Sequence, residues 1–133
     1  MRAETELWWR QAQADLVTAE VTLREQRFYA AAWFIQQAVE KGLKALYVEQ
    51  RGTLTPRTHN LVQLGRDISA PTNLDADLAS LNPAFGASRY PDLQKGTIPV
   101  DEVTETRAVG YLESGRRIMT WLDRALNRTS NPP

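Results

Sequence analysis

The chain has no cysteine and a single histidine, His59, in 133 residues. The first absence removes disulfides, thiolate nucleophiles and sulfur-ligated zinc together, and it suits a reducing compartment. The second leaves a transition metal without a pair of imidazole ligands, so no metal is expected. No acidic cluster has the spacing of a calcium loop, and the scattered glycines never open a strand-to-helix phosphate loop. No cofactor is expected either. An excess of one charge is also missing: 16 Lys+Arg face 16 Asp+Glu. Without a general basic footprint, any nucleic-acid site has to be a local patch. The N-terminal MRAETELWWRQAQADL contains acids and no apolar core of the signal-peptide kind, and no later run reaches membrane-spanning length. The expectation is a soluble, cytoplasmic protein with no membrane partner.

Alternating strand patterns, internal repeats and low-complexity tracts are absent too; what remains is helical periodicity. Trp8, Ala12, Leu16, Ala19 and Leu23 recur at three- and four-residue steps, which predicts a first helix from about Thr5, as its cap, to Gln26. Trp8 is expected in the core, while Trp9 suits core or a partner contact. A short break at 27–29 sends a second helix back antiparallel, to about Gln50. On it Ala31, Ala32, Ile35, Ala38, Val39, Gly42, Leu43 and Leu46 fill one arc, and Gln37, Lys41 and Lys44 fall opposite as a solvated, charged side. Gly42 costs about 1 kcal/mol against alanine in a helix, which points to a second backbone passing closely.

Arg51-Gly52 reads as a helix stop. Thr58 is expected to cap a short helix holding Leu61, Leu64 and Ile68, with His59 in its first turn, and Asn73 to cap another with Leu74, Leu78 and Leu81. PAFGASRYPDLQKGTIP reads as a long ordered loop, and a final helix is expected from about Asp101 to Leu126. The predicted fold is an all-α, antiparallel up-and-down bundle of four to five helices. Residues 1–126 form its single domain and 127–133 a flexible tail.

One constellation carries possible chemistry. Lys41, Lys44, Arg51, Arg57, His59 and Arg89 are cations or potential cations able to hold phosphate, and His59 can transfer protons near neutral pH. A triad of Ser88, His59 and Asp92 can be drawn, but nothing in the sequence brings its members together.

FIQQAVEKGLKALYVEQRGTLTPRTHNLVQL, followed by SRYPD and a long last helix, resembles the HEPN domain family over nearly the whole chain. The most specific parts are Gln36–Leu46, Pro56–Leu61 and Ser88–Asp92. The resemblance implies a helical homodimer that binds a nucleotide or RNA and partners a small nucleotidyltransferase in a toxin–antitoxin-like pair. It implies a ligand site drawn from Lys41, Lys44, Arg57, His59, Arg89 and Tyr90. The ribonuclease branch places an arginine before a histidine with four to six residues between the two. Those slots hold Leu54, Thr53 and Gly52 here, with Arg51 one residue too far and Arg57 too near. A metal-independent endoribonuclease using His59 with Arg51 or Arg57 is therefore the alternative expectation. A third makes Lys41, His59, Arg89 and Asp92 an internal polar network in a structural dimerisation or interaction domain.

Overall fold

A computed structural model describes residues 1–130, with side chains to 128. The chain is all helical: α1 (Ala3–Arg24), α2 (Phe28–Arg51), α3 (Leu61–Asp67), α4 (Asp75–Leu81), α5 (Ala84–Ala87), α6 (Pro99–Glu102) and α7 (Glu105–Ser130). Among the described residues the sole strand-like feature is an antiparallel bridge between Asp92 and Thr97. This is the expected all-α bundle, five helices of about two turns or more with two single turns between α4 and α7. The last helix runs on to Ser130, and the remainder of the proposed tail lies outside the described residues.

α1 and α2 form an antiparallel hairpin, with Arg2 bonded to Glu49 at one end and Asp15 to Lys41 further along. The turn is tight because Gln26 takes a left-handed φ of 62° and Arg27 N–H donates to the Thr22 carbonyl. α1 begins two residues before the expected Thr5, which is buried within its first turns and caps nothing. Its inward stripe is Thr5, Trp9, Ala12, Asp15 and Ala19, so Trp9, open between core and partner contact in the sequence, is the core tryptophan, whereas Trp8, expected in the core, is only partly buried against it. A run of two tryptophans fits either register, and the close seat of Trp9 against Gly42 decides it.

α7 lies along α2 in the same direction, because α3 to α6 first carry the chain back. A Cβ on Gly42 would come 2.8 Å from Leu122 Cδ1, and one on Gly115 2.7 Å from Ile35 Cγ2. The close backbone approach inferred from Gly42 is therefore an α2–α7 contact, with a glycine on each helix. Ile35, Val39, Leu43, Leu61, Leu64, Leu78, Leu81, Ile118, Leu122 and Leu126 make the core.

Three local expectations change. The cap of α3 is Asn60, whose side chain accepts from Gln63 N–H at 3.2 Å, so His59 stands before the helix rather than in its first turn. Asn73 sits within a 3-10 turn and caps nothing. The segment 99–102 is a turn of its own, and the extended backbone of Val103 separates it from α7, which starts at Glu105. α2 is also not charged on one open side. α1, α7 and the short helices α3 and α5 surround it, and Glu40 and Lys44 are both buried.

Candidate functional site

The turn before α3 is pinned by polar side chains: Thr58 Oγ1 accepts from Asn60 N–H, and Asn82 Oδ1 accepts from Leu61 N–H at 2.8 Å. This presents His59 to α2, where its Nδ1 lies 3.0 Å from Glu40 Oε1. Gln36 Nε2 donates to the same oxygen at 3.1 Å, and Lys44 Nζ donates to Oε2 at 3.1 Å. Gln37 holds Gln36 in turn, through a 2.7 Å bond to its Oε1. Burial by itself would push the Glu40 carboxyl up. The hydrogen bonds of Gln36 and His59, with the charge and hydrogen bond of Lys44, outweigh it and hold the group below its ordinary value.

An ionised Glu40 can only accept, so Nδ1 carries the proton and Nε2 is left as the outward nitrogen. The imidazole is 58% exposed while the carboxylate is 7% exposed, which gives a solvent-facing ring on a buried anchor. Phe85 supports the ring from α5, stacked at 4.0 Å between centroids and 18° between planes. Arg89 continues the pile: its guanidinium carbon is 4.2 Å from the Phe85 ring centre and 4.1 Å from that of Trp33. Arg89 Nε is buried without a hydrogen-bond partner among the described residues.

The other predicted residues divide. Arg57 is exposed two residues before His59, and no ion pair engages it among the described residues. Lys44 is buried in its pair with Glu40, its Nζ 5.8 Å from the Trp8 ring centre, and presents no charge to solvent. Lys41 ties the hairpin together through Asp15 at 2.6 Å. Arg51 is directed elsewhere, donating to the Asp67 carbonyl at 2.6 Å and lying over Tyr47. It is eleven residues beyond Glu40 on α2, about 16 Å along the axis at 1.5 Å per residue, so one chain does not bring it to His59. Tyr90 is exposed on the rim of a separate open hollow of ≈ 490 Å³ beneath the 90–98 loop.

The drawn triad is not assembled. Ser88 is buried and donates to the Ala84 carbonyl, and Asp92 accepts the Gln94 and Lys95 amides of its own turn. The four-residue network of Lys41, His59, Arg89 and Asp92 is likewise not formed as drawn: His59 and Arg89 share Phe85, while Lys41 and Asp92 have partners of their own. The Glu40–Lys44 pair follows from its i, i+4 spacing, but the sequence does not assign Glu40, Gln36, Phe85 or Trp33 to the site. Gln36, Glu40 and Lys44 stand at four-residue steps, a row that signals a shared face, but only the fold, which brings His59 to Glu40 and Trp8 to Lys44, shows that face to be interior.

The chain is thus a helical bundle with an exposed histidine anchored on a buried glutamate. The family model for the HEPN domain matches residues 5–125, and the chain belongs to that family. The TT1696 protein of Thermus thermophilus has a similar structure, with a TM-score of 0.83 and 22% identity over 92% of this chain and 98% of that one. ST0689, an archaeal HEPN homologue, is similar with a TM-score of 0.77 and 27% identity over 94% of this chain and 98% of that one. No curated protein matches the chain.

Proposed function

We propose that this HEPN protein binds a nucleotide or RNA at the surface of His59, Arg57 and Arg89. The observation that carries the reading is the exposed imidazole of His59, fixed at Nδ1 by buried Glu40 and stacked on Phe85. A histidine that served the core alone has no need of an outward nitrogen. Here the ring is held in one orientation while Nε2 stays available to a phosphate oxygen or a ribose hydroxyl. Arg57 supplies exposed positive charge two residues away in the chain, and Arg89 supplies a guanidinium against two aromatic rings. Family membership supports the wider reading, a cytoplasmic homodimer that partners a small nucleotidyltransferase in a toxin–antitoxin-like pair. Titration of a labelled single-stranded RNA and of ATP into the wild type and Arg57→Ala tests the site. Binding is expected to weaken in the variant and to fall with added salt; equal affinity in both removes the assignment.

The His59–Glu40 pair favours a second reading, metal-independent RNA cleavage. A carboxylate on Nδ1 holds the tautomer in which Nε2 takes the proton of a 2′-hydroxyl; the 2′-oxygen bonds to the adjacent phosphorus as the P–O5′ bond breaks, the 5′-oxygen leaves with a proton from water, and the imidazolium is stabilised by Glu40 until it returns its proton to solvent. Arg57 is the nearest sequence neighbour able to stabilise the phosphate. Cleavage in EDTA that is lost in His59→Ala supports this reading; full cleavage by that variant ends it.

A further inference from the structure

A basic hollow lies away from these residues, between α7 and the 3-10 turn Thr72–Leu74. It encloses ≈ 370 Å³ and is lined by Asn73, Asp77, Arg116, Arg117, Trp121 and Arg124, together with Leu74 and Thr120. It shares no residue with the His59 site. Three arginines against one acid make its wall net positive, although the protein as a whole is neutral.

The arginines are held differently. Arg117 grips Asp77 with Nε at 3.0 Å and Nη2 at 2.8 Å, and Ser114 also bonds the carboxylate. That clamp uses one edge of the guanidinium and leaves the Nη1 edge uncommitted. Arg116 reaches Glu20 of α1 at 3.4 Å, a longer contact on a half-exposed side chain. Arg124 makes no ion pair among the described residues and is exposed. Steps of 100° put Arg117, Thr120 and Arg124 in one row along α7, with Trp121 beside it as a half-buried ring. Arginine at all three positions, rather than lysine, gives planar paired donors suited to oxyanions.

We propose that this hollow is a second anion site, which takes a phosphate group between Arg116, Arg117 and Arg124. Asp77 sets the angle of Arg117, Arg124 closes the site as its unpaired donor, and Thr120 adds a hydroxyl. Trp121 offers an aromatic face to whatever the phosphate carries. The phosphate belongs either to a small free compound or to a nucleic-acid backbone, and the same chemistry recognises both.

The test is calorimetric titration of the full chain at low salt with inorganic pyrophosphate and, separately, with a single-stranded oligonucleotide. The proteins are wild type, Arg124→Ala, Arg124→Lys and His59→Ala. Loss of one paired-donor contact is expected to weaken binding by about tenfold in Arg124→Ala, with partial recovery in Arg124→Lys. His59→Ala is expected to keep pyrophosphate affinity, so a failure of the His59 site leaves this result intact. An effect of Arg124→Ala on both probes identifies a general phosphate site, and an effect on the oligonucleotide alone identifies the backbone as its source. No binding of either probe, or equal binding by wild type and Arg124→Ala, overturns the proposal. Arg124 is exposed, so its variants are expected to fold, and unchanged melting temperatures check this.

Discussion

His59 Nδ1 and Glu40 Oε1 are 3.0 Å apart, across 19 residues of sequence, and join the turn before α3 to the middle of α2. One partner is exposed and the other buried, so the pair has a structural end and a working end. Substitutions at the two ends should therefore separate stability from binding.

At the buried end, Glu40→Ala leaves the Lys44 ammonium interior and unpaired. Breaking a buried pair in this way costs about 3–5 kcal/mol, and a melting curve should show the loss directly. Lys44→Met removes the charge and keeps the stem, while Glu40 retains Gln36 and His59 as donors. It should therefore cost less than Glu40→Ala. The opposite order would contradict the network described here.

Acid should weaken the fold through the same carboxylate. Glu40 and Asp77 are both held below their ordinary values, Asp77 chiefly by the Arg117 hydrogen bonds. Each contribution is complete above the unfolded range, about pH 4 to 5, and is lost as pH falls through the lower folded value. In that window the unfolded chain binds more protons. Denaturant titrations at stepped pH should give a steep acid limb in the wild type and a shallower one in Glu40→Gln.

The glycines of the α2–α7 contact should respond unequally. At Gly42 a methyl meets the far ends of Leu122 and Met119, which can turn aside, and alanine gains up to about 1 kcal/mol of helix propensity. At Gly115 it meets Ile35 Cγ2, fixed on a β-branched side chain. Gly115→Ala is expected to destabilise by about 1–3 kcal/mol and Gly42→Ala by less. Thermal denaturation of the two variants checks the order.

Arg51→Ala should leave RNA or nucleotide affinity unchanged and lower stability by no more than about 1 kcal/mol, since its bonds go to an exposed carbonyl and Tyr47. A large loss of affinity in this variant would mean that a partner chain brings Arg51 to the site.

Much of this was legible in the sequence. Three- and four-residue apolar steps gave the long helices, Gly42 announced a close helix contact, and Gly52 takes the left-handed cap its position implied. The family followed from short motifs around Gln36, Pro56 and Ser88. The site was less legible. Lys44 sits in what looks like the polar arc of an amphipathic helix, yet it alone of that arc is buried, paired with Glu40 and lying near Trp8 of α1. Phe85 and Trp33 belong to no pattern that marks a site, since their roles depend on His59 and Arg89 arriving from distant turns. The cap of α3 lies two residues later than expected because Thr58 and Asn60 are both good caps, and the bond from Leu61 N–H to Asn82 Oδ1 favours the later start.

The most direct measurement is the affinity of purified protein for a labelled single-stranded RNA in EDTA, comparing wild type with His59→Ala. Melting temperature is recorded for both, and gel analysis of the same samples reads cleavage. A clear loss of affinity is expected in His59→Ala with little change in stability, since the ring is exposed and the Gln36–Glu40–Lys44 network remains. Unchanged RNA affinity in a folded His59→Ala protein would contradict the assignment of His59 to the site.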